Sequence, residues 1–82
     1  MLENRAKFVY LAIGSNLGNR KNNIEKARLG LLDNKINILQ SSNYYETPSW
    51  PNPKNPKFLN IVIKAKTKFA PLELLEICKR IE

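Results

Sequence analysis

The chain has no histidine, one cysteine and one aspartate, and these scarcities exclude several kinds of catalytic site. Without histidine, neither a Ser-His-Asp triad nor a mixed Cys/His zinc site can form. Asp33 is the single aspartate, and no two carboxylates stand two residues apart, so the sequence offers no clustered oxygen ligands for a hard cation. If the chain belongs to an enzyme, part of its catalytic charge must come from elsewhere.

The cysteine and the short apolar runs bear on the compartment. Cys78 has no second cysteine with which to form an internal disulfide, and its helical apolar neighbours predict packing in the core. The longest apolar run, Phe8 to Ile13, is far shorter than the roughly 20 residues that cross a bilayer. No signal-peptide pattern stands at the start. These features predict a soluble, cytoplasmic protein without a membrane partner.

Basic residues outnumber acidic residues two to one. The 14 Lys and Arg against 7 Asp and Glu give a net charge of +7, which favours anionic partners such as nucleotides. The basic residues are spread from Arg5 to Arg80, so a solvated basic surface is favoured over a stripe dedicated to nucleic acid. A length of 82 residues predicts one domain.

Hydrophobic periodicity predicts five elements in the order β-α-β-β-α. The first strand, Lys7 to Ile13, is apolar on both alternating faces, which is typical of a central strand, and Gly14 is expected to end it. Four prolines between Thr47 and Lys57 predict a stiff loop. The other elements are a helix over 20–33, strands over 36–46 and 58–67, and a helix from Pro71 with Leu74, Leu75, Cys78 and Ile81 buried.

This order is the α+β ferredoxin-like pattern βαββαβ without its last strand. We expect an antiparallel sheet with two helices on one face and the strands in the order second, third, first. The missing strand would pair beside the first, so residues 1–82 are interpreted as one truncated domain in which that edge is open. Because no proline or charge interrupts Phe8 to Ile13, the open edge predicts self-association.

Several short motifs are weak singly but specific in combination. The glycine turn at Gly14 to Gly18, for example, fits neither the dinucleotide fingerprint nor the P-loop. The motifs are YLAIGSNLGNR at 10–20, SSNYYETP at 41–48, PKFLN at 56–60 and PLELL at 71–75. In this order they resemble the 6-hydroxymethyl-7,8-dihydropterin pyrophosphokinases. The resemblance implies transfer of pyrophosphate from ATP to the hydroxymethyl oxygen of a reduced pterin in folate biosynthesis, with release of AMP.

The resemblance also implies roles for individual residues. Asn60 would hydrogen-bond the pterin ring through its amide, and Phe58 would pack against the ring. The positions that match the family's pterin pocket are Thr47, Pro48, Trp50, Phe58 and Asn60, and those that match its nucleotide contacts are Glu82 and Lys79. Two of these depart from the family: Lys79 stands where glutamine is frequent, and Trp50 where an aliphatic residue is frequent.

Magnesium is the cofactor that the resemblance implies, with its aspartate ligands beyond residue 82. No catalytic residue and no metal ligand are therefore predicted within the chain, which is expected to hold the pterin-binding part and to release no AMP by itself. The alternative is a small basic nucleic-acid-binding or interaction module on a ferredoxin-like sheet. The strand over 58–67 lacks the basic-glycine-aromatic run of RNA-binding domains, so nucleic acid is not the expected partner.

Overall fold

A computed structural model of the chain describes residues 6–81, which form an α+β arrangement of four strands and two helices. The elements are β1 Lys7–Ser15, α1 Arg20–Asp33, β2 Asn37–Ser41, β3 Tyr45–Thr47, β4 Phe58–Thr67 and α2 Pro71–Ile81. The α1 helix begins where Asn19 caps it, because the Asn19 side chain accepts a hydrogen bond from the backbone N–H of Asn22 at 3.0 Å. The bounds of α1 and β4 and the start of α2 are those predicted from the sequence.

The β4 strand lies at the centre of an antiparallel sheet. On one side it pairs with β1 from Ser15↔Leu59 to Lys7↔Thr67. On its other side it pairs first with β3 and then with β2. The order β1-β4-β2 agrees with the order expected for the first, third and second predicted strands.

The prediction of one continuous second strand over 36–46 is wrong, because that segment forms β2 and β3 with a break at residues 42–44. At the break, the Ser42 N–H still donates to the Val62 carbonyl at 2.8 Å. The Val62 N–H instead donates to the Ser42 hydroxyl oxygen at 2.9 Å, so a side chain replaces a backbone carbonyl in the ladder. Such local competition by serine is enough to interrupt a strand.

The prediction that β1 is buried on both faces and ended by Gly14 is also wrong, whereas its place beside a single neighbouring strand of the described residues agrees with the predicted strand order. Within residues 6–81, β1 pairs with β4 alone, and it continues through Gly14 to Ser15. Its residues alternate between half-buried and exposed, with Phe8 and Tyr10 exposed by 61% and 71%. The apolar pattern therefore reports two apolar faces, of which the described residues cover one.

The hydrophobic core lies between one face of the sheet and both helices. From β4, Ile61, Ile63 and Ala65 are fully buried at two-residue spacing. The helices meet them with Ile24 and Leu31 of α1 and with Leu74 and Ile77 of α2. Since neighbouring strand residues point to opposite faces, the intervening β4 residues face away from the helices. That second face is called the open face below.

The α2 helix is turned slightly from the predicted stripe. Leu74 is buried, and Cys78 and Ile81 pack against the core while partly exposed. Leu75, predicted to be buried, is 49% exposed, and Ile77 is buried in its place at 4%. Residues 74, 77, 78 and 81 follow the three-and-four spacing of one helical face, from which position 75 is offset by about 100°.

We predict that Ile77→Ala lowers the free energy of unfolding by about 2–5 kcal/mol, because it leaves a cavity among buried side chains. The matched control Leu75→Ala removes an exposed apolar side chain from the same helix and should change it by about 0.5 kcal/mol or less. Urea denaturation followed by circular dichroism measures both values. A larger loss for Leu75→Ala than for Ile77→Ala would contradict the observed helix face.

Candidate functional site

Three of the predicted site residues meet on the open face, where β1, β3 and β4 lie side by side. Thr47 of β3 is directly opposite Phe58 of β4. Two residues further along β4, Asn60 lies between Tyr45 of β3 and Gly14 of β1. Opposed residues of an antiparallel pair share a face, so these five positions form one continuous patch.

The Asn60 amide is held in one orientation by its neighbours. Its Nδ2 donates to the Thr47 hydroxyl oxygen at 2.9 Å and to the Tyr45 carbonyl at 3.3 Å. A carbonyl accepts but does not donate, so the nitrogen must point toward β3 and Oδ1 toward β1. The Thr47 hydroxyl, which accepts from Asn60, retains its own hydrogen for a further bond. The patch therefore presents a fixed acceptor oxygen beside a hydroxyl donor.

Gly14 makes room for this amide, a role that the sequence interpretation missed. A Cβ at position 14 would lie 2.6 Å from Asn60 Oδ1 and 3.6 Å from the Phe58 ring. Real side-chain contacts are longer than the first of these distances, so any residue other than glycine would displace the Asn60 amide. Gly14 had been assigned to a turn, but a glycine inside an apolar strand is itself a signal of close approach.

The loop over residues 48–57 joins β3 to β4 and holds two other predicted pocket residues. Pro48 is exposed, and Trp50 is 79% exposed. Ser49 between them is buried, at 6% exposure. Pro48 and Trp50, which follow Thr47 closely in the sequence, are therefore both accessible to solvent.

The predicted nucleotide contacts are not brought together with Asn60. Lys79 is exposed in the last turn of α2, which packs on the helix side of the sheet. Glu82 lies outside the described residues. Within residues 6–81, no three side chains among His, Cys, Asp and Glu converge as they would around a metal ion.

A second set of contacts ties the residues before β3 to α1. The Tyr44 hydroxyl donates to Glu25, whose other carboxylate oxygen lies 3.2 Å from Arg28 Nε. The hydrogen bond from Tyr44 is the main cause that holds the pKa of Glu25 below its usual value, and the same bond raises the pKa of Tyr44. The Lys21 ammonium nitrogen, Nζ, lies 5.5 Å from the centre of the Tyr44 ring, within the range of a cation–π contact. These contacts fix the chain just ahead of Tyr45 and Thr47.

A groove of about 450 Å³ lies on the helix side, separate from the open face. It runs along β1 where α1 and α2 leave that strand partly uncovered. Its apolar lining includes Leu11, Ile13, Ala27, Leu31, Cys78 and Ile81. It places an apolar surface next to the edge of β1 that faces away from β4.

Residues 10–82 match the family model described as 7,8-dihydro-6-hydroxymethylpterin-pyrophosphokinase. The chain belongs to this family. The matched segment includes the whole open-face patch, and it begins at Tyr10, as the motif resemblance does.

Individual relatives support the same family. A 2-amino-4-hydroxy-6-hydroxymethyldihydropteridine pyrophosphokinase from Aquifex aeolicus is 42% identical over 74 residues, which cover 90% of this chain and 46% of the relative. A folate synthesis bifunctional protein from Arabidopsis thaliana is 42% identical over 90% of this chain and 15% of its own length. A mitochondrial folate synthesis bifunctional protein from Pisum sativum is 36% identical over 99% of this chain and 16% of its own length. The chain thus spans less than half the length of these relatives.

We predict that Gly14→Ala displaces the Asn60 side chain while the sheet stays intact. The colliding atom is the end of a flexible side chain, so the cost in stability should be at most about 1.5 kcal/mol, the net value of one hydrogen bond. The side-chain amide resonances of Asn60 in a ¹H–¹⁵N spectrum should shift. Ala12→Ser, which adds one atom on the same face of β1, is the control. Unchanged Asn60 resonances in Gly14→Ala would show that the glycine is not needed for the amide.

Proposed function

We propose that this chain forms the pterin-binding part of a 6-hydroxymethyl-7,8-dihydropterin pyrophosphokinase, which transfers pyrophosphate from ATP to the pterin in folate biosynthesis. The observation that carries the proposal is the Asn60 amide, held by Thr47 and Tyr45 over Gly14 in a member of this family. An amide oxygen and a hydroxyl donor side by side suit the polar rim of a flat heterocycle.

The proposed pocket has an aromatic wall as well as a polar rim. The half-buried Phe58 lies on the same face of β4 as Asn60, two residues away, where it can pack against a ring. In the proposal, Pro48 and Trp50 cover the ring from the loop, and both are exposed to receive it. The prolines of the loop reduce the entropy that is lost when the loop becomes ordered around a ligand.

The proposed reaction is attack of the hydroxymethyl oxygen on the β-phosphorus of ATP, with cleavage of the bond to the α-phosphate oxygen and departure of AMP. The contribution proposed for this chain is to position the hydroxymethyl group by holding the ring, since orientation supplies much of the catalysis in phosphoryl transfer. Lys79, as an exposed cation on α2, and Glu82 are the proposed contacts to ATP.

Magnesium is the proposed cofactor on the strength of family membership alone. The residues described here do not fit a magnesium site, because no three carboxylates, cysteines or histidines converge within residues 6–81. Two of the carboxylates, those of Glu25 and Glu46, are paired with arginines.

We also propose a ferredoxin-like topology for the chain. The strand order β1-β4-β2, with both helices on one face, supports a ferredoxin-like topology. No helix within residues 6–81 is long and apolar enough to cross a membrane. A cytoplasmic location stays a prediction from the sequence, as does the absence of a nucleic-acid or membrane partner. No observation supports the alternative of a nucleic-acid-binding module.

We also propose that isolated chains self-associate through the edge of β1. This edge is nine residues long, whereas β2 has five residues and a register irregularity that protects its own edge. Two copies of β1 paired antiparallel about Leu11 would set Phe8 opposite Gly14 and Tyr10 opposite Ala12. Large side chains would then face small ones, and the apolar groove beside Leu11 would adjoin its copy.

We predict that Asn60→Ala weakens the binding of 6-hydroxymethyl-7,8-dihydropterin by about 1–3 kcal/mol, because polar atoms of the buried ring lose their partner. Isothermal titration calorimetry on this chain, or on a longer protein that contains it, gives the dissociation constants. Asn37→Ala, which truncates an exposed asparagine of β2, is the control and should leave the constant unchanged. Equal binding by Asn60→Ala and the original chain would remove Asn60 from the site.

For self-association, we predict that sedimentation velocity detects oligomers that increase with salt, because screening weakens the repulsion between chains of charge +7. Tyr10→Lys places a charge on the β1 edge and should restore the monomer. Leu72→Lys, at a 77% exposed position of α2, adds the same charge away from the edge and should not. A chain that stays monomeric at every salt concentration would refute edge pairing.

A further inference from the structure

The loop over residues 48–57 is closed at its base by the paired residues Thr47 and Phe58. Both of these belong to the proposed pterin pocket, so the position of the loop ends determines the shape of that pocket. Inside the loop the hydrogen bonds are local: the Asn52 carbonyl accepts from Asn55 N–H at 3.1 Å, and Asn52 Oδ1 accepts from Lys54 N–H at 3.0 Å. Local bonds shape the loop tip but do not attach the loop to the sheet.

Arg20 contacts both ends of this loop from a different element. It is the first residue of α1, and its Nη1 donates to Glu46 Oε2 at 2.8 Å and to the Lys57 carbonyl at 3.0 Å. Glu46 directly precedes Thr47, and Lys57 directly precedes Phe58. One guanidinium nitrogen therefore joins Glu46, a ladder residue of β3, to Lys57, the loop residue just before β4, and so spans the last ladder pair of the loop base. Both bonds involve a charged donor, and such bonds are shorter and stronger than neutral ones.

We propose that Arg20 is a positioning residue of the pterin site, which holds both ends of loop 48–57 and so keeps Thr47 in hydrogen-bonding contact with Asn60. The effect on ligand affinity rests on the proposed function, whereas the effect on the loop does not. The Arg20 and Glu46 side chains are 33% and 50% exposed, so solvent screens their attraction and little global stability comes from it. The contribution is local order.

The contact of Arg20 with Glu46 depends on pH, because it requires the charged form of the Glu46 carboxylate. The hydrogen bond from Arg20 is the main cause that holds the pKa of Glu46 below its ordinary value of 4.5, and the positive charges of Arg20 and Lys57 lower it further. These are the charged groups that face it, from α1 and from the end of the loop. The Glu46 contact is therefore complete above pH 4.5 and is lost as pH falls through the lowered value.

Trp50 gives a direct measurement, because it is the chain's single tryptophan and lies within the loop. Time-resolved fluorescence anisotropy of Trp50 reports the local motion of the loop in the intact chain, without any ligand. The variants are Arg20→Gln, Glu46→Gln and the double variant. Arg80→Gln, which removes the same charge from an exposed position on α2, is the control.

We expect the amplitude of Trp50 motion to increase most in Arg20→Gln, which releases both loop ends, and less in Glu46→Gln, which weakens one. The double variant should move no more than Arg20→Gln, because Glu46 acts through Arg20. The original chain should gain mobility as the solution is acidified below pH 4.5, and Glu46→Gln should not. Affinity for 6-hydroxymethyl-7,8-dihydropterin should fall more in Arg20→Gln than in Glu46→Gln. For Arg20→Gln we expect a loss of about 3- to 10-fold, which corresponds to the net free energy of one hydrogen bond.

Unchanged Trp50 motion in Arg20→Gln, or an equal increase in Arg80→Gln, would overturn the inference. So would increased motion with unaltered pterin affinity, since Arg20 would then hold the loop without positioning the site. If Arg20→Gln fails to fold, Glu46→Gln and its lost pH response still decide the question. If the original chain binds no pterin while the mobility order holds, the proposed function fails and the role of Arg20 in the loop stands.

Discussion

The two-residue alternation of β4 is the constraint on which the rest of the structure depends. This strand pairs with all three others, so its register fixes theirs. Its odd-numbered residues, such as Ile61 and Ile63, form the core with both helices, and its even-numbered residues, such as Asn60, form the open-face patch. A slip of one residue would exchange the two sets and would bury the amide while exposing the isoleucines. The hydrophobic effect that holds the core therefore also holds the candidate site in register.

Much of the fold could be predicted because most elements carry their own local signals. Periodicity located α1 and β4, and Pro71 located the start of α2. The errors concern properties that depend on neighbours. A strand with two apolar faces does not reveal how many layers cover it, and the pattern of β1 was therefore misinterpreted. The break after Ser41 depends on a single hydroxyl that replaces a carbonyl, which alternation cannot show.

The site divides in the same way. The family motifs identified Thr47, Phe58 and Asn60, and the structure brings these three together on one face. They also named Pro48, Trp50 and Lys79, and Glu82, which lies outside the described residues. The roles of all seven residues remain predictions. Gly14 and Arg20 act across strands and between elements, through contacts that exist only once the register is known. Their residue types gave a partial signal, because glycine is uncommon within a strand and a cation is unfavourable at a helix start. No spacing rule, however, relates either residue to Asn60.

The contact between Gly14 and Asn60 has an evolutionary consequence. Because a Cβ at position 14 would lie 2.6 Å from Asn60 Oδ1, the two positions share one small volume although they are separated by most of the chain. A homologue with a side chain at position 14 could not hold the Asn60 amide in the same place. A homologue with a smaller residue at position 60 would not need glycine at position 14. Glycine at position 14 should therefore be retained wherever the asparagine is retained, whereas a homologue without the asparagine could carry another residue at that position.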